Sequence, residues 1–467
     1  MVVPLLHHVP VVQSLARNFT SVFANAPEYQ HFKNYLTGLI VADRKNFTQI
    51  AACLVKSADH TNITRFMNNP RWSGEKLNDK RIELIQARTQ GDDAEHEGLL
   101  ILDDTLDEHV GTLFEHISRH YDHCDGSYTL ARNPVTSHYV RGSVSFPIEF
   151  RTYRSYDEVT GWEGHFRQHF SEIEIPKTSR ERNKLKQKYE KRLLAADAEF
   201  ARKHETFKTK ITLACELVDD AITRELAYDV VLMDAWYLAP ELIEVIEQHD
   251  KAWISILKTN RKLQTAGLKL TDASGKRLVF EEAEIKVEDL VQRLPQSAYH
   301  AVQITKETTY WAVSFTASIG TLGKVRLVIS FQDEACEGTY AVLVTRQIHW
   351  EAKRIIRTYG GRFQIEVFYK DAKQQLGGSD YQCRADEAIK KHWYMVFCAY
   401  SLLKLDMLRA PAYQAWQRTL KTISVAVRRQ AQSVIEQLML ACHRILSREA
   451  KSDRLFKLLF GKFAYES

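Results

Sequence analysis

The stretch TYGGRFQIEVFYKDAKQQLGG, residues 358–378, carries Tyr359, Arg362, Glu366 and Lys373 at offsets of zero, three, seven and fourteen. At about 100° per residue these offsets fall near 0°, 300°, 340° and 320°, so all four project from one stripe of a helix. A stripe meant for a core would carry Leu, Ile or Val. This one holds an acid, two cations and a phenol. Arg362 offers a planar fork that matches phosphate oxygens, Lys373 a compact point charge, and Tyr359 a neutral donor. If the helix begins only after Gly360-Gly361, Tyr359 leaves the stripe.

Two short apolar runs end in further acids. EGLLILDDTLD (97–107) delivers Asp103 and Asp104, and YDVVLMDAWY (228–237) delivers Asp234. Such runs read as buried strands with carboxylates at their C-terminal ends, where α/β sheets place their sites. Hard divalent cations such as Mg²⁺ take a few oxygen ligands and complete their shell with water and substrate phosphate. A pair of such ions, roughly 3.5 to 4 Å apart, can activate a hydroxyl and steady the leaving oxygen of a phosphodiester. Three convergent carboxylates suit that work. Each also has a plainer role, as a turn-forming Asp or as a Glu in a salt-bridged helix face.

The elements that must position these groups follow from the rest of the pattern. Residues 11–92 read as helical. Within them a helix over Phe47–Lys56 and another over Asn62–Met67, with Arg65 exposed, have the form of a helix-turn-helix. The strand ending at Asp104 is followed by a hairpin over 137–156. A basic helical stretch over 175–205 shows no clear apolar face and reads as a solvated excursion that could touch DNA phosphates. Then come an amphipathic helix (207–226), the strand ending at Asp234, a helix (240–249) and a strand (252–260). This order predicts a mixed α/β sheet with parallel members. From 261 to 346 the pattern is β-rich, and Trp311 there could stack on an unpaired base. Helices resume near 349 and continue to the end.

Composition sets wide bounds. The chain has 467 residues, 45% apolar and 26% charged, with net charge +5. Its pI of about 8.6 is as compatible with an ordinary enzyme as with a polyanionic partner. The excess is concentrated from Lys404 onward, with 12 Lys and Arg against 5 Asp and Glu. Seven scattered cysteines with no CxxC pair point to reduced thiols in the cytoplasm. The N-terminus lacks the form of a signal peptide, and no apolar run is long enough for a membrane span. His120, His123 and Cys124 lack a partner pair at structural-zinc spacing. No Walker loop, nucleophile elbow or GxGxxG is present, which argues against NTP-driven, esterase and dehydrogenase chemistry.

Asp104 and Asp234 after strands, a β-rich insertion, then Y-x2-R-x3-E-x6-K together resemble the bacterial insertion-sequence transposases of the DDE superfamily, in the branch with the YREK signature. The resemblance covers about residues 30–405 and implies an RNase H-like α/β fold. It implies a helical DNA-binding domain (1–92), a catalytic core in two parts (93–260 and 347–405), a β-rich insertion (261–346) and a C-terminal helical region (406–467). It also implies that Asp104, Asp234 and Glu366 hold Mg²⁺, with Mn²⁺ as a substitute, while Tyr359, Arg362 and Lys373 contact DNA. Asp103 and Asp104 alternate across a strand, so only one can face the site. The family pattern sets its acid directly before Thr, which selects Asp104. The expected activity is cleavage at element ends and strand transfer, by a homodimer on double-stranded DNA in the bacterial nucleoid. A nuclease without strand transfer, or an inactive DNA-binding derivative, would share many of these features.

Overall fold

A computed structural model describes residues 4–54, 60–122, 125–271, 274–409 and 422–448. Five helices open the chain: α1 (Pro10–Leu15), α2 (Ala26–Val41), α3 (Phe47–Cys53), α4 (His60–Asn68) and α5 (Gly74–Thr89). Asn25, Asn46 and Ser73 start α2, α3 and α5, each accepting a backbone N–H of the first turn as N-caps do. The turn of the expected helix-turn-helix falls on residues outside those described. Ile63, Phe66 and Met67 anchor α4, and Arg65 is exposed on it.

The first strands are β1 (Leu99–Asp104), β2 (Asp107–Glu108), β3 (Ser118–Asp122), β4 (Ser127–Arg141) and β5 (Val144–Tyr153). A helical arm follows: α6 (Tyr156–Thr160), α7 (Trp162–His169), α8 (Ser179–Ala196) and α9 (Ala198–Thr206). It has a small core of its own, with Trp162, Phe166, Phe170, Leu193 and Phe200 buried and Leu185 and Tyr189 packed against them. The stretch read as lacking an apolar face therefore has one. It is hard to see in sequence because Asp197 ends α8 and caps α9, so the stripe changes direction partway.

The chain then runs α10 (Lys210–Thr223), β6 (Val230–Met233), α11 (Pro240–Gln248) and β7 (Ala252–Ile256). β1, β6 and β7 are parallel neighbours, while β4 pairs antiparallel with β1 on one side and β5 on the other. The parallel strands are covered on both faces, which explains why LLIL and VVLM are unbroken apolar runs.

Beyond β7 lie a small antiparallel pair, β8 (Lys262–Gln264) with β9 (Glu284–Lys286), and α12 (Val287–Arg293). Next come β10 (His300–Gln303), β11 (Thr309–Ile319), β12 (Gly323–Phe331) and β13 (Tyr340–Thr345). These four do not form a sheet of their own. β13 pairs with β7, so the sheet runs β10-β11-β12-β13-β7-β6-β1-β4 as one surface of 11 strands once β2, β3 and β5 are included.

Four helices complete the described chain: α13 (Ala352–Gly360), α14 (Phe363–Gln375), α15 (Asp386–Arg409) and α16 (Ile423–Arg448). One face of the sheet packs on α13 to α16 and the N-terminal helices, the other on α10 to α12. The N-terminal helices share that first core instead of standing apart. The buried Arg81 of α5 donates to the Pro147 and Ile148 carbonyls of β5 and to Ser401 Oγ of α15, at 2.7 to 2.9 Å. Among the described residues no helix is long and apolar enough to cross a membrane.

Candidate functional site

The register of β1 against β6 decides which acids meet. Ile101 pairs with Leu232 and Leu102 with Met233, so the next rung sets Asp103 beside Asp234. Paired residues of parallel strands share a face. Leu99, Ile101, Val230 and Leu232 lie in the core that holds Ile365 and Phe368 of α14, while Leu100, Leu102, Val231 and Met233 lie in the opposite one. Asp103 therefore faces α14 and Asp104 faces α10.

The side chains confirm the parity. Arg362 Nη1 donates to Asp103 Oδ2 at 2.9 Å, and its Nη2 donates to Glu366 Oε1. Burial, together with the charges of Asp104 and Asp234, pushes the Asp103 carboxyl up to about 7 against the pull of Arg362. Asp234 accepts from the backbone N–H of Trp236 and Tyr237 through Oδ1, at 2.9 and 3.3 Å. It thus forms the turn, while its other oxygen has no hydrogen bond among the described residues. Arg362 thus joins Asp103 and Glu366, and the charge of Asp234 also acts on its guanidinium.

Asp104, the acid favoured by the Asp-Thr pattern, is engaged on the other face. Tyr237 donates its hydroxyl to Asp104 Oδ1 at 2.7 Å. Lys210 Nζ and Asn133 Nδ2 donate to Oδ2 at 2.8 and 2.9 Å. Burial opposes ionisation there, but Lys210 and the hydrogen bonds hold the carboxyl below its usual range. The motif favours the residue before Thr105, and strand alternation sets that residue, Asp104, on the face of β1 opposite Asp103.

The polar stripe is split between two helices. Gly361 N bonds to Thr358 O and Arg362 N to Tyr359 O, at 3.0 and 2.9 Å, a tightened step that keeps helical backbone from α13 into α14. A Cβ at Gly361 would lie 2.6 Å from Leu99 Cδ1, so glycine lets this step rest on β1. Tyr359 donates to Met233 O at 3.4 Å, which pins α13 to the strand that carries Asp234. Burial raises the Tyr359 phenol. Lys373 donates to Thr105 Oγ1 at 2.8 Å and Leu106 O at 2.6 Å, and burial lowers its ammonium.

Trp311 is half-buried in β11 and packs on the second core. It lies four strands from β6, roughly 20 Å at the usual strand spacing. Trp236 is an exposed aromatic beside Asp234. It is 59% exposed, its backbone is tied to Asp234, and Lys258 Nζ lies 5.6 Å over its ring. The sequence signal for it was present, two residues after the acid in MDAWY. His120 donates to or accepts from Ser118 Oγ at 2.8 Å, and the other two members of the weighed zinc set lie outside the described residues.

Residues 18–309 match a family described as DDE superfamily endonuclease. No curated protein matches the chain.

Proposed function

Since the chain belongs to the DDE superfamily endonuclease family, we propose that it is a DNA transposase that cuts at the ends of its element and joins the freed 3′ hydroxyl to target DNA. The observation that carries this is the register pairing β1 with β6, which aims Asp103 and Asp234 at the helix bearing Arg362 and Glu366. The strand order β5-β4-β1-β6-β7, antiparallel then parallel, supports an RNase H-like core.

The acids fit a divalent cation. Their oxygens are hard donors, and a cationic guanidinium already sits among them. Bound Mg²⁺, or Mn²⁺ in its place, would be held by Asp103, Asp234 and Glu366 and would supply charge to activate a hydroxyl and stabilise a leaving oxygen. Arg362 orients Asp103 and Glu366 and offers its fork to a phosphate. Asp104 is a positioning residue in this reading, fixing the end of β1 through Tyr237, Asn133 and Lys210. Tyr359 and Lys373 hold the ends of β6 and β1 and line the path of the DNA backbone. Arg65 on α4 contacts the terminal repeat, and two ends are brought together by a homodimer.

The test is cleavage of a plasmid carrying the element's ends, with and without Mg²⁺, by wild type and Glu366→Gln. Loss of cleavage in the variant is expected, and equal rates would refute the site. A pre-cleaved 3′-hydroxyl end with target plasmid yields joined product from a transposase and none from a nuclease.

A further inference from the structure

The helical arm 156–206 is not used by the chemistry above, yet it is rooted at the site. β1 and β5 both run antiparallel to β4, so they point the same way and the arm leaves from the edge that bears the acids. Tyr153, the last residue of β5, pairs with Asn133, which donates to Asp104 at 2.9 Å. The arm returns into α10, whose first residue, Lys210, reaches Asp104 at 2.8 Å and lies 5.6 Å over the Tyr153 ring. Both roots therefore meet at one carboxylate.

Charge on the arm is sorted by face. Arg180, Lys184, Lys188 and Lys191 of α8 are all exposed. At about 100° per residue they sit within an 80° stripe, while Leu185, Tyr189 and Leu193 point about 140° to 220° from Arg180. The arm's other cations include several held in ion pairs: Arg182 with Glu163, Lys186 with Asp157, and Lys203 with Glu199 at 2.8 Å. Among the described residues the four stripe cations have no such carboxylate. Successive members three or four residues apart rise roughly 4.5 to 6 Å, and the row spans roughly 16 Å.

We propose that this stripe of α8 is a DNA-backbone grip that holds duplex beside the acid edge of the sheet. It rests on the DNA-processing reading above and extends it by assigning a contact surface. Four cations without a carboxylate partner displace condensed counterions without first breaking an ion pair, which favours a phosphate partner. The stripe faces away from Leu185 and Leu193 and meets the arm's core where Lys188 Nζ lies 5.3 Å over the Tyr189 ring.

The experiment compares wild type with the combined variant Arg180→Gln, Lys184→Gln, Lys188→Gln, Lys191→Gln, using anisotropy of a labelled mixed-sequence duplex over a range of salt. Circular dichroism of both proteins checks that α8 persists. The expected result is weaker binding and a log–log salt slope shallower by up to about 3.6. A second variant that exchanges Lys for Arg and Arg for Lys at the same positions should bind as wild type. Unchanged affinity and slope in the neutral variant, with wild type binding and cleaving DNA, would overturn the grip and leave the transposase reading intact. Wild type that neither binds nor cleaves DNA would sink both. Loss of binding to anionic phospholipid vesicles with DNA binding unchanged would give the stripe to a membrane surface and also overturn the proposal.

Discussion

Asp103 and Asp104 are neighbours of the same type on one strand, yet they stand in opposite electrostatic worlds. On the α14 side, Asp103 shares its space with two other carboxyl groups and one guanidinium, and its affinity for a proton rises to about 7. On the α10 side, Asp104 is met by an ammonium, an amide and a phenol, and its carboxyl stays ionised. The lesson is that one step of pleat separates a crowded, charge-hungry acid from a satisfied one. In the proposed reading the first would hold a cation and the second ties the strand end.

Exchanging the two roles is the strongest way to break this contrast. Asp103→Asn should lower Mg²⁺-dependent cleavage by about 10³-fold or more, as loss of a charge-stabilising group in a closed site does. Asp104→Asn should cost about 10-fold, because it loosens the strand end and leaves the cation ligands in place. Plasmid-cleavage rates measure both, and the reverse order of effects would assign the metal to the α10 side. Arg362→Lys sharpens the same point: a point charge cannot bridge Asp103 and Glu366 as a fork does, so cleavage should fall by about 10²-fold.

Stability should respond with opposite signs. In metal-free protein, Asp103 has a folded pKa above its unfolded one. The folded state thus binds the extra proton between about pH 4 and about 7, and stability drains away as pH rises through that window. Asp103→Asn should therefore stabilise the protein by up to about 4 kcal/mol at pH 8, with the gap closing towards pH 4. Asp104 is shifted the other way, so its contribution is present above its unfolded pKa and is lost as pH falls through its folded one. Asp104→Asn should destabilise at neutral pH. Denaturant melts in chelator across pH follow both. The smallest effect expected is from Tyr237→Phe, which removes one buried hydrogen bond to Asp104 and should cost about 1 kcal/mol in the same melts.

The apolar runs ending in acids were legible in sequence as strands, and the Tyr-Arg-Glu-Lys stretch as helix, though its stripe is split between α13 and α14. The choice between Asp103 and Asp104 was not, because it depends on the register of two strands more than a hundred residues apart. The pairing of Leu102 with Met233, which sets Asp103 beside Asp234, is announced by no local pattern. The β-rich stretch was readable as strands, but not as a continuation of the central sheet, since the bond of β13 to β7 is equally non-local. Arg81 gave no outward sign that it would be buried and fasten the N-terminal helices to β5 and α15. Trp236 was visible as a residue, but its exposure beside Asp234 depends on the turn that the acid itself makes.

The joining of β13 to β7 has a mechanical corollary. Four strands that could have swung as a separate lobe are instead braced to the plate that carries Asp234, through backbone bonds that do not slide. That half of the molecule is one continuous plate with the strand that leads into Asp234.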